Sequence, residues 1–287
     1  MAFDESDLRP RRSLLYMPAS NARAIEKARG LDCDGVILDL EDSVAPEAKL
    51  QARANAVAAV AAGFGGREVA VRCNGLDTEW GVQDLRAIAE AGPGVVLAPK
   101  VSSAAEVHAY DRALAEAPQH TRLWIMVETA RGVLALPQIV ETAGSTRLAG
   151  MVQGPNDLGA ELRLKGPVAR AGIRTVLFQM TIAARAHGLL AFGGTFNAID
   201  DAAGFAAECA EEAGLGLDGK TLIHPSQIEA ANAAFSPSDE EIAWARAVVA
   251  AFAAPEAAGK GAIRLEGKMI ERLHLKAAQR TLALATG

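Results

Sequence analysis

The stretch VILDLED, residues 36–42, begins as a run of aliphatics and ends with three carboxylates, Asp39, Glu41 and Asp42, in four positions. An apolar run without polar alternation reads as a strand covered on both faces, as in a parallel sheet flanked by helices. Acid at the far end of such a strand needs its own explanation. Like charges crowded at one mouth repel unless a cation or a basic partner neutralises them.

The pattern recurs outward from that point. Strand-like runs are SLLYMP (13–18), GVILDLE (35–41), EVAVRCN (68–74), GVVLAPK (94–100), LWIMVE (123–128), LAGMVQG (148–154), LLAFGGTF (189–196) and KTLIHP (220–225). Helical, Ala-rich segments lie between them. Ser103 with Glu106 and Ser226 with Glu229 match the capping box that opens a helix. Eight strand–helix cycles in 287 residues predict an α/β fold, a TIM (β/α)8 barrel, over residues 1–236. A doubly wound open sheet is the rival, but the Gly-rich phosphate turn expected after its first strand is absent. Residues 237–287 then form a C-terminal helical extension. Another capped helix, opened by Ser238 and Glu241 with Ile242, Ala245, Val249 and Phe252 on one face, precedes the break PEAAGKGA (255–262). That break suggests a mobile lid, or an arm contacting a neighbouring subunit, with a helix packed on the barrel wall as the plainer reading.

Composition narrows the class. The balance of 29 basic against 35 acidic residues, net −6, offers no footprint for nucleic acid. No apolar run reaches a membrane span, and the polar start MAFDESDLRPRR does not resemble a signal peptide. Cys33, Cys73 and Cys209 are scattered and odd in number, which fits buried thiols in a reduced, cytoplasmic setting.

In a barrel of this type, chemistry gathers at the C-terminal ends of the strands. Those ends carry Asp39, Glu41 and Asp42; Arg72 and Asn74; Lys100; Glu128; Asp157 in GPNDLG; Thr195 and Asn197; and His224. Alternation along a strand puts Asp39 with Glu41 on one face and Arg72 with Asn74 on one face. Five histidines and no Cys pair make zinc a poor fit. The oxygen ligands Glu128 and Asp157 point instead to a hard ion, Mg²⁺ with Mn²⁺ as the alternative, and the acids of VILDLED would anchor its waters. Each residue also has an ordinary role open to it: Glu128 and Asp157 as turn residues, Arg72 as a scaffold pair with Glu41 or Asp42, and His224 as a hydrogen-bonded loop histidine. A Schiff base on Lys100 is the metal-free rival.

RRSLLYMPASNARAIEKA, DGVILDLEDSVAPEAKLQAR, VRCNG, APKV, ETARGV, GPNDLGAEL, GKTLIHPSQI and GKMIERLHLKAA together resemble the citrate lyase β-subunit-like proteins of the HpcH/HpaI aldolase superfamily, with their malyl-CoA and citramalyl-CoA lyases. The resemblance runs from Arg12 to Ala278. It implies a trimeric or hexameric TIM barrel, Mg²⁺ on Glu128 and Asp157, and Arg72 on a substrate oxygen. It further implies that Glu41 and Asp42 orient water and Arg72, that Asn74 helps bind substrate, and that Tyr16, Lys49 and Arg53 meet the CoA tail. Glu271, on a neighbour's arm, would be the general base. Relatives usually have aspartate there. The added methylene displaces the carboxylate by about an ångström, enough to cost on the order of 100-fold in rate.

The implied activity is a retro-Claisen cleavage, or the reverse condensation, of a 3-hydroxyacyl-CoA such as malyl-, citramalyl- or citryl-CoA, releasing a 2-oxo acid. The alternatives are a thioesterase or synthase on the same site, or a weakly catalytic CoA-ester-binding subunit that depends on an acyl carrier protein.

Overall fold

The computed structural model describes residues 9–254 and 257–285. Residues 1–8, which begin the polar N-terminal stretch, and Pro255-Glu256, which begin the PEAAGKGA break, lie outside them. Two compact units are present, one built on Arg11–Ala234 and one on Phe235–Gly287.

The first unit is a closed barrel of eight strands in sequence order. These are β1 (Ser13–Pro18), β2 (Gly35–Asp39), β3 (Glu68–Arg72), β4 (Val95–Ala98), β5 (Arg122–Val127), β6 (Leu148–Gln153), β7 (Leu190–Gly193) and β8 (Gly219–Leu222). All eight neighbouring pairs are parallel, and β8 returns to β1. Helices α1 (Ala22–Ala28), α2 (Lys49–Ala62), α3 (Gly81–Ala91), α4 (Ala104–Ala113), α5 (Ala130–Leu134), α6 (Leu136–Glu141), α7 (Pro155–Glu161), α8 (Ala169–His187), α9 (Ala202–Gly214) and α10 (Ile228–Phe235) alternate with them.

Sequence explains the helical layer directly. In α8, Ile173, Val176, Leu177, Met180 and Ala184 recur every three or four residues and are buried. The buried side of α2 is Ala52, Ala56 and Ala59, small enough for close approach to the sheet. Inside the barrel, Leu14, Ile37, Leu97, Trp124, Val152 and Phe192 belong to one core cluster, with the Trp124 and Phe192 rings 4.6 Å apart. Gly150 makes room for that tryptophan: a Cβ there would lie 2.8 Å from its ring.

Several strands end earlier than their apolar runs suggest. The ladder stops at Asp39 in β2, Arg72 in β3, Ala98 in β4 and Val127 in β5, so Glu41, Asn74, Lys100 and Glu128 sit on the loops just beyond. Ser103 caps α4 through the Glu106 N–H, one half of the expected box, whereas Glu106 Oε2 accepts from the Ser102 N–H instead of the Ser103 N–H. The box expected at Ser226 and Glu229 lies two residues earlier. His224 Nδ1 accepts from the Ser226 N–H and Gln227 Oε1 accepts from the His224 N–H, because Pro225 takes the first helical position.

The second unit holds α11 (Asp239–Ala253), a hairpin of β9 (Ala262–Leu265) and β10 (Lys268–Glu271), and α12 (Arg272–Ala285). Ser238 and Glu241 close a complete capping box on α11. The hairpin went unread in the sequence. Its signal is Glu266-Gly267, both at positive φ (49° and 81°), the backbone a tight two-residue turn requires. Ala245, Val248, Ile270 and Ala278 form this unit's own core.

Candidate active site

The barrel brings Asp39 and Arg72 opposite each other as register partners at the last rung of β2 and β3. Arg72 Nε and Nη2 donate to the two Asp39 carboxylate oxygens at 2.6 and 2.7 Å, a fork-on-fork pair. Nη1 lies 2.9 Å from Glu41 Oε2, and the guanidinium carbon sits 5.0 Å from the centre of the Tyr16 ring. Asp39 also accepts from the Glu41 and Ser43 N–H groups and from the Ser43 hydroxyl. Burial opposes its ionisation, but the charge and bonds of Arg72 outweigh that and hold its carboxyl below the usual range. One face of a rigid cation is thus aimed at a cavity of about 390 Å³, lined by Tyr16, Asp39, Asp42, Arg72, Met126, Glu128, Gln153, Asp157 and Thr221 among others.

Glu128 is 1% exposed at the floor of that cavity. Its Oε1 accepts from the Lys100 backbone N–H at 2.8 Å, while Oε2 is buried without a hydrogen-bond partner. A bare carboxylate oxygen in such a place costs energy unless something electropositive meets it. Burial, with the charges of Asp157 and Glu41 adding to it and the Lys100 N–H and Arg72 opposing, pushes this carboxyl up to about 7. Gly154 permits the arrangement, because a Cβ there would sit 2.2 Å from Oε2. Asp157, in the first turn of α7, lines the same cavity and is 40% exposed.

These residues fit a divalent ion. Among the described residues no group of three Asp, Glu, His or Cys side chains forms a complete cage. Two carboxylates, one with an orphaned oxygen, suit Mg²⁺, which commonly takes one or two carboxylates and completes its shell with water and substrate oxygens.

Lys100 closes the acidic ring. Its ammonium pairs with Glu41, and lies 3.4 Å from Asp42 and 4.0 Å from Asp157 Oδ1. Burial would lower its pKa, but the bond and charge of Glu41 more than offset this and raise it. An amine so held is a poor Schiff-base nucleophile, which needs the neutral form.

Other expected residues are placed differently. Asn74 does not share the direction of Arg72, since strand alternation lapses once the ladder has ended. Its amide donates to Leu40 O and Asp84 and accepts from Lys49. The Lys49 ammonium is buried and spends its donors on Leu40 O, Glu41 O and Asn74 at 2.7 to 2.8 Å. Arg53 donates to the fully buried Asp84 at 2.6 Å. Lys49 and Asn74 wall a second groove of about 720 Å³ together with Asp42, Trp80, Lys100 and Tyr110. Tyr16 is in the first cavity, its hydroxyl 3.8 Å from Met126 Sδ. Glu271 belongs to the second unit, at the end of β10, and its N–H donates to His274 Nδ1. Met126, Gln153, Gly154 and Thr221 were not anticipated as cavity residues. Gly154 lies in GPNDLG with Asp157, and Met126 lies two positions before Glu128 in LWIMVE.

Known proteins are similar to this chain over nearly its whole length. A (3S)-malyl-CoA thioesterase of Cereibacter sphaeroides is 46% identical over 277 residues, 96% of this chain and 95% of its own. An L-malyl-CoA/beta-methylmalyl-CoA lyase of the same species is 33% identical, covering 94% of this chain and 93% of its own. The crystal structure of CitE from Mycobacterium tuberculosis with magnesium, acetoacetate and coenzyme A superposes with a TM-score of 0.73 at 33% identity, covering 96% of this chain and 98% of that one. Residues 167–286 match a C–C bond lyase family of the TIM-barrel fold. Residues 12–225 match the HpcH/HpaI aldolase/citrate lyase family, to which this chain belongs.

Proposed function

We propose that this chain is a Mg²⁺-dependent enzyme acting on a short 3-hydroxyacyl-CoA that carries a second carboxylate, malyl-CoA being the prototype. The observation that carries the reading is the meeting, at one barrel mouth, of the Arg72 fork with the orphaned Glu128 oxygen beside Asp157. Glu128 and Asp157 would hold the ion, which when bound acts as a Lewis acid toward substrate oxygens.

Arg72 then faces the oxygen on which negative charge develops. Because Asp39 fixes it beforehand, it need not reorganise as the reaction proceeds. Glu41 and Asp42 complete the anionic wall and keep Arg72 in place. The CoA tail would leave past Tyr16 toward the Lys49 and Arg53 side of the mouth, with Asn74 holding that wall. Glu271 would reach the reacting atoms from the arm of a neighbouring subunit in a homotrimer or hexamer, as general base.

Two reactions are open to such a substrate. Hydrolysis adds water across the thioester and gives malate and free CoA. Retro-Claisen cleavage breaks the carbon–carbon bond and gives acetyl-CoA and glyoxylate. The sequence suggested cleavage first; the 46% identity to a thioesterase, against 33% to a lyase, favours hydrolysis first and cleavage second.

Malyl-, citramalyl- and citryl-CoA, each with and without Mg²⁺, separate these readings. A thiol reagent reports free CoA, and a hydrazine reports the 2-oxo acid. Free CoA without oxo acid supports hydrolysis, and oxo acid without free thiol supports cleavage. Neither product from any ester, with Mg²⁺ present, overturns the proposal. The Glu271→Asp variant in the same assay shows whether the longer side chain suits the reaction.

A further inference from the structure

Lys100 stands out from the other strand-end residues in three ways. It is one of three non-glycine residues at positive φ among those described, at 53°, a region that side chains other than Asn and Asp rarely adopt. Its main chain is held there from both sides: the N–H donates to Glu128 at 2.8 Å, and its carbonyl accepts from the Ser102 hydroxyl at 3.1 Å. Its ammonium lies within 4.0 Å of Glu41, Asp42 and Asp157. One residue therefore touches both proposed metal ligands, Glu128 through the backbone and Asp157 through the side chain. It also lines the second groove, and its side chain is 44% exposed.

A cation placed among these acids does electrostatic work that a divalent ion would duplicate. With the ion on Glu128 and Asp157, an ammonium 4.0 Å from Asp157 would face a doubly charged neighbour across a few ångströms, and that repulsion is substantial even at a partly exposed site. The side chain has open space to leave into, whereas the backbone N–H does not move with it.

We propose that Lys100 is a built-in counter-cation of the metal-free mouth: its ammonium neutralises the acids until a divalent ion loads and then swings into the second groove, while its left-handed backbone keeps Glu128 aimed. This rests on the Mg²⁺ reading above and assigns Lys100 a positioning role, not a catalytic one.

Lys100→Asn tests it, since asparagine tolerates the same backbone and lacks the charge. Mg²⁺ is titrated into chelator-stripped protein by calorimetry, and melting is followed with and without saturating Mg²⁺. The expected result is a variant that melts lower than wild type without metal, equals it with metal, and binds Mg²⁺ roughly tenfold more tightly, the scale of one removed like charge at a half-exposed site. In the wild type, acetylation of Lys100 by an amine-reactive ester, read by mass spectrometry, should speed up several-fold when Mg²⁺ is added.

Equal melting loss in both states with unchanged affinity would mean an ordinary ion pair that survives loading, and overturns this inference while leaving the metal reading intact. Unchanged acetylation of wild-type Lys100 overturns it too. No heat and no melting shift when Mg²⁺ meets the wild type overturns both.

Discussion

Arg72 and Asp39 are paired twice over: their backbones are partners at the last rung between β2 and β3, and their side chains join in a two-pronged ion pair at 2.6 and 2.7 Å. Both are nearly inaccessible, Asp39 at 1% and Arg72 at 8%. The carboxylate is therefore part of the arginine's function. It holds the guanidinium plane so that Nη1 alone is left toward Glu41 and the cavity.

Asp39→Ala should be severely disruptive. Removing Asp39 strips the buried Arg72 of its forked carboxylate and leaves it Glu41 at 2.9 Å, a loss of about 3 kcal/mol. Urea unfolding measures it. Arg72→Lys keeps the charge but cannot form the fork. It should unfold near wild type yet lose about 100-fold or more in kcat with a smaller change in KM, as expected for a group acting on developing charge.

Gly154→Ala should weaken Mg²⁺ binding and also lower the stability of the barrel. The φ of −106° at this position suits alanine, so backbone strain is not at issue. The new methyl would lie 2.2 Å from Glu128 Oε2 and 2.5 Å from its Cβ, so the carboxylate must turn away and the main chain must shift as well. Calorimetry should show an affinity loss of roughly tenfold or more, the scale seen when a ligand's support is disturbed.

Mg²⁺ affinity should rise with pH up to about 7. The Glu128 carboxyl is pushed from its ordinary 4.5 to about 7, chiefly by burial. Between those values the folded protein keeps a proton that the unfolded chain has released. Metal-free stability therefore falls as pH rises through that window. The ion requires the carboxylate, so binding displaces the proton, and affinity should climb about tenfold per pH unit below 7 and level off above. Titration calorimetry in two buffers of different ionisation enthalpy would detect the released proton. A flat profile from pH 5.5 to 8 would contradict it.

Lys220→Met tests the far side of the barrel. Lys220 in β8 is fully buried and donates to Glu212 at 2.9 and 3.0 Å and to Glu208 at 2.8 Å. Gly193 admits Glu212, since a Cβ there would come 1.8 Å from its Oε2. The single variant should lose about 3 kcal/mol by taking from Glu212 its buried lysine and leaving it only the longer contact to Arg170 at 3.2 Å, and Lys220→Met with Glu212→Leu should regain much of this. Chemical denaturation of both variants gives the comparison.

The order of strands and helices was legible because burial on both faces writes an apolar run into each strand, and the runs could be counted. The polar strand ends were legible for the same reason, since charge at the end of such a run has few structural uses. The directions of those side chains were not. Alternation predicts direction only while a ladder continues, and Asn74 lies past its end, turned to Lys49 and Asp84. Likewise KTL could not disclose a lysine with no exposure, because the acids that neutralise it come from α9, a separate segment.

The chain alone determined the barrel, its eight-fold repeat and the polar residues that follow its strands, since these follow from local periodicity and from where apolar runs end. Tertiary structure decided which of those residues meet: Asp39 clamps Arg72, Glu128 keeps a bare oxygen beside Gly154, and Lys100 sits among the acids. Such meetings depend on sheet register and on the close approach of loops distant in sequence. No local pattern encodes them, because the energy that selects them is released only when the barrel closes.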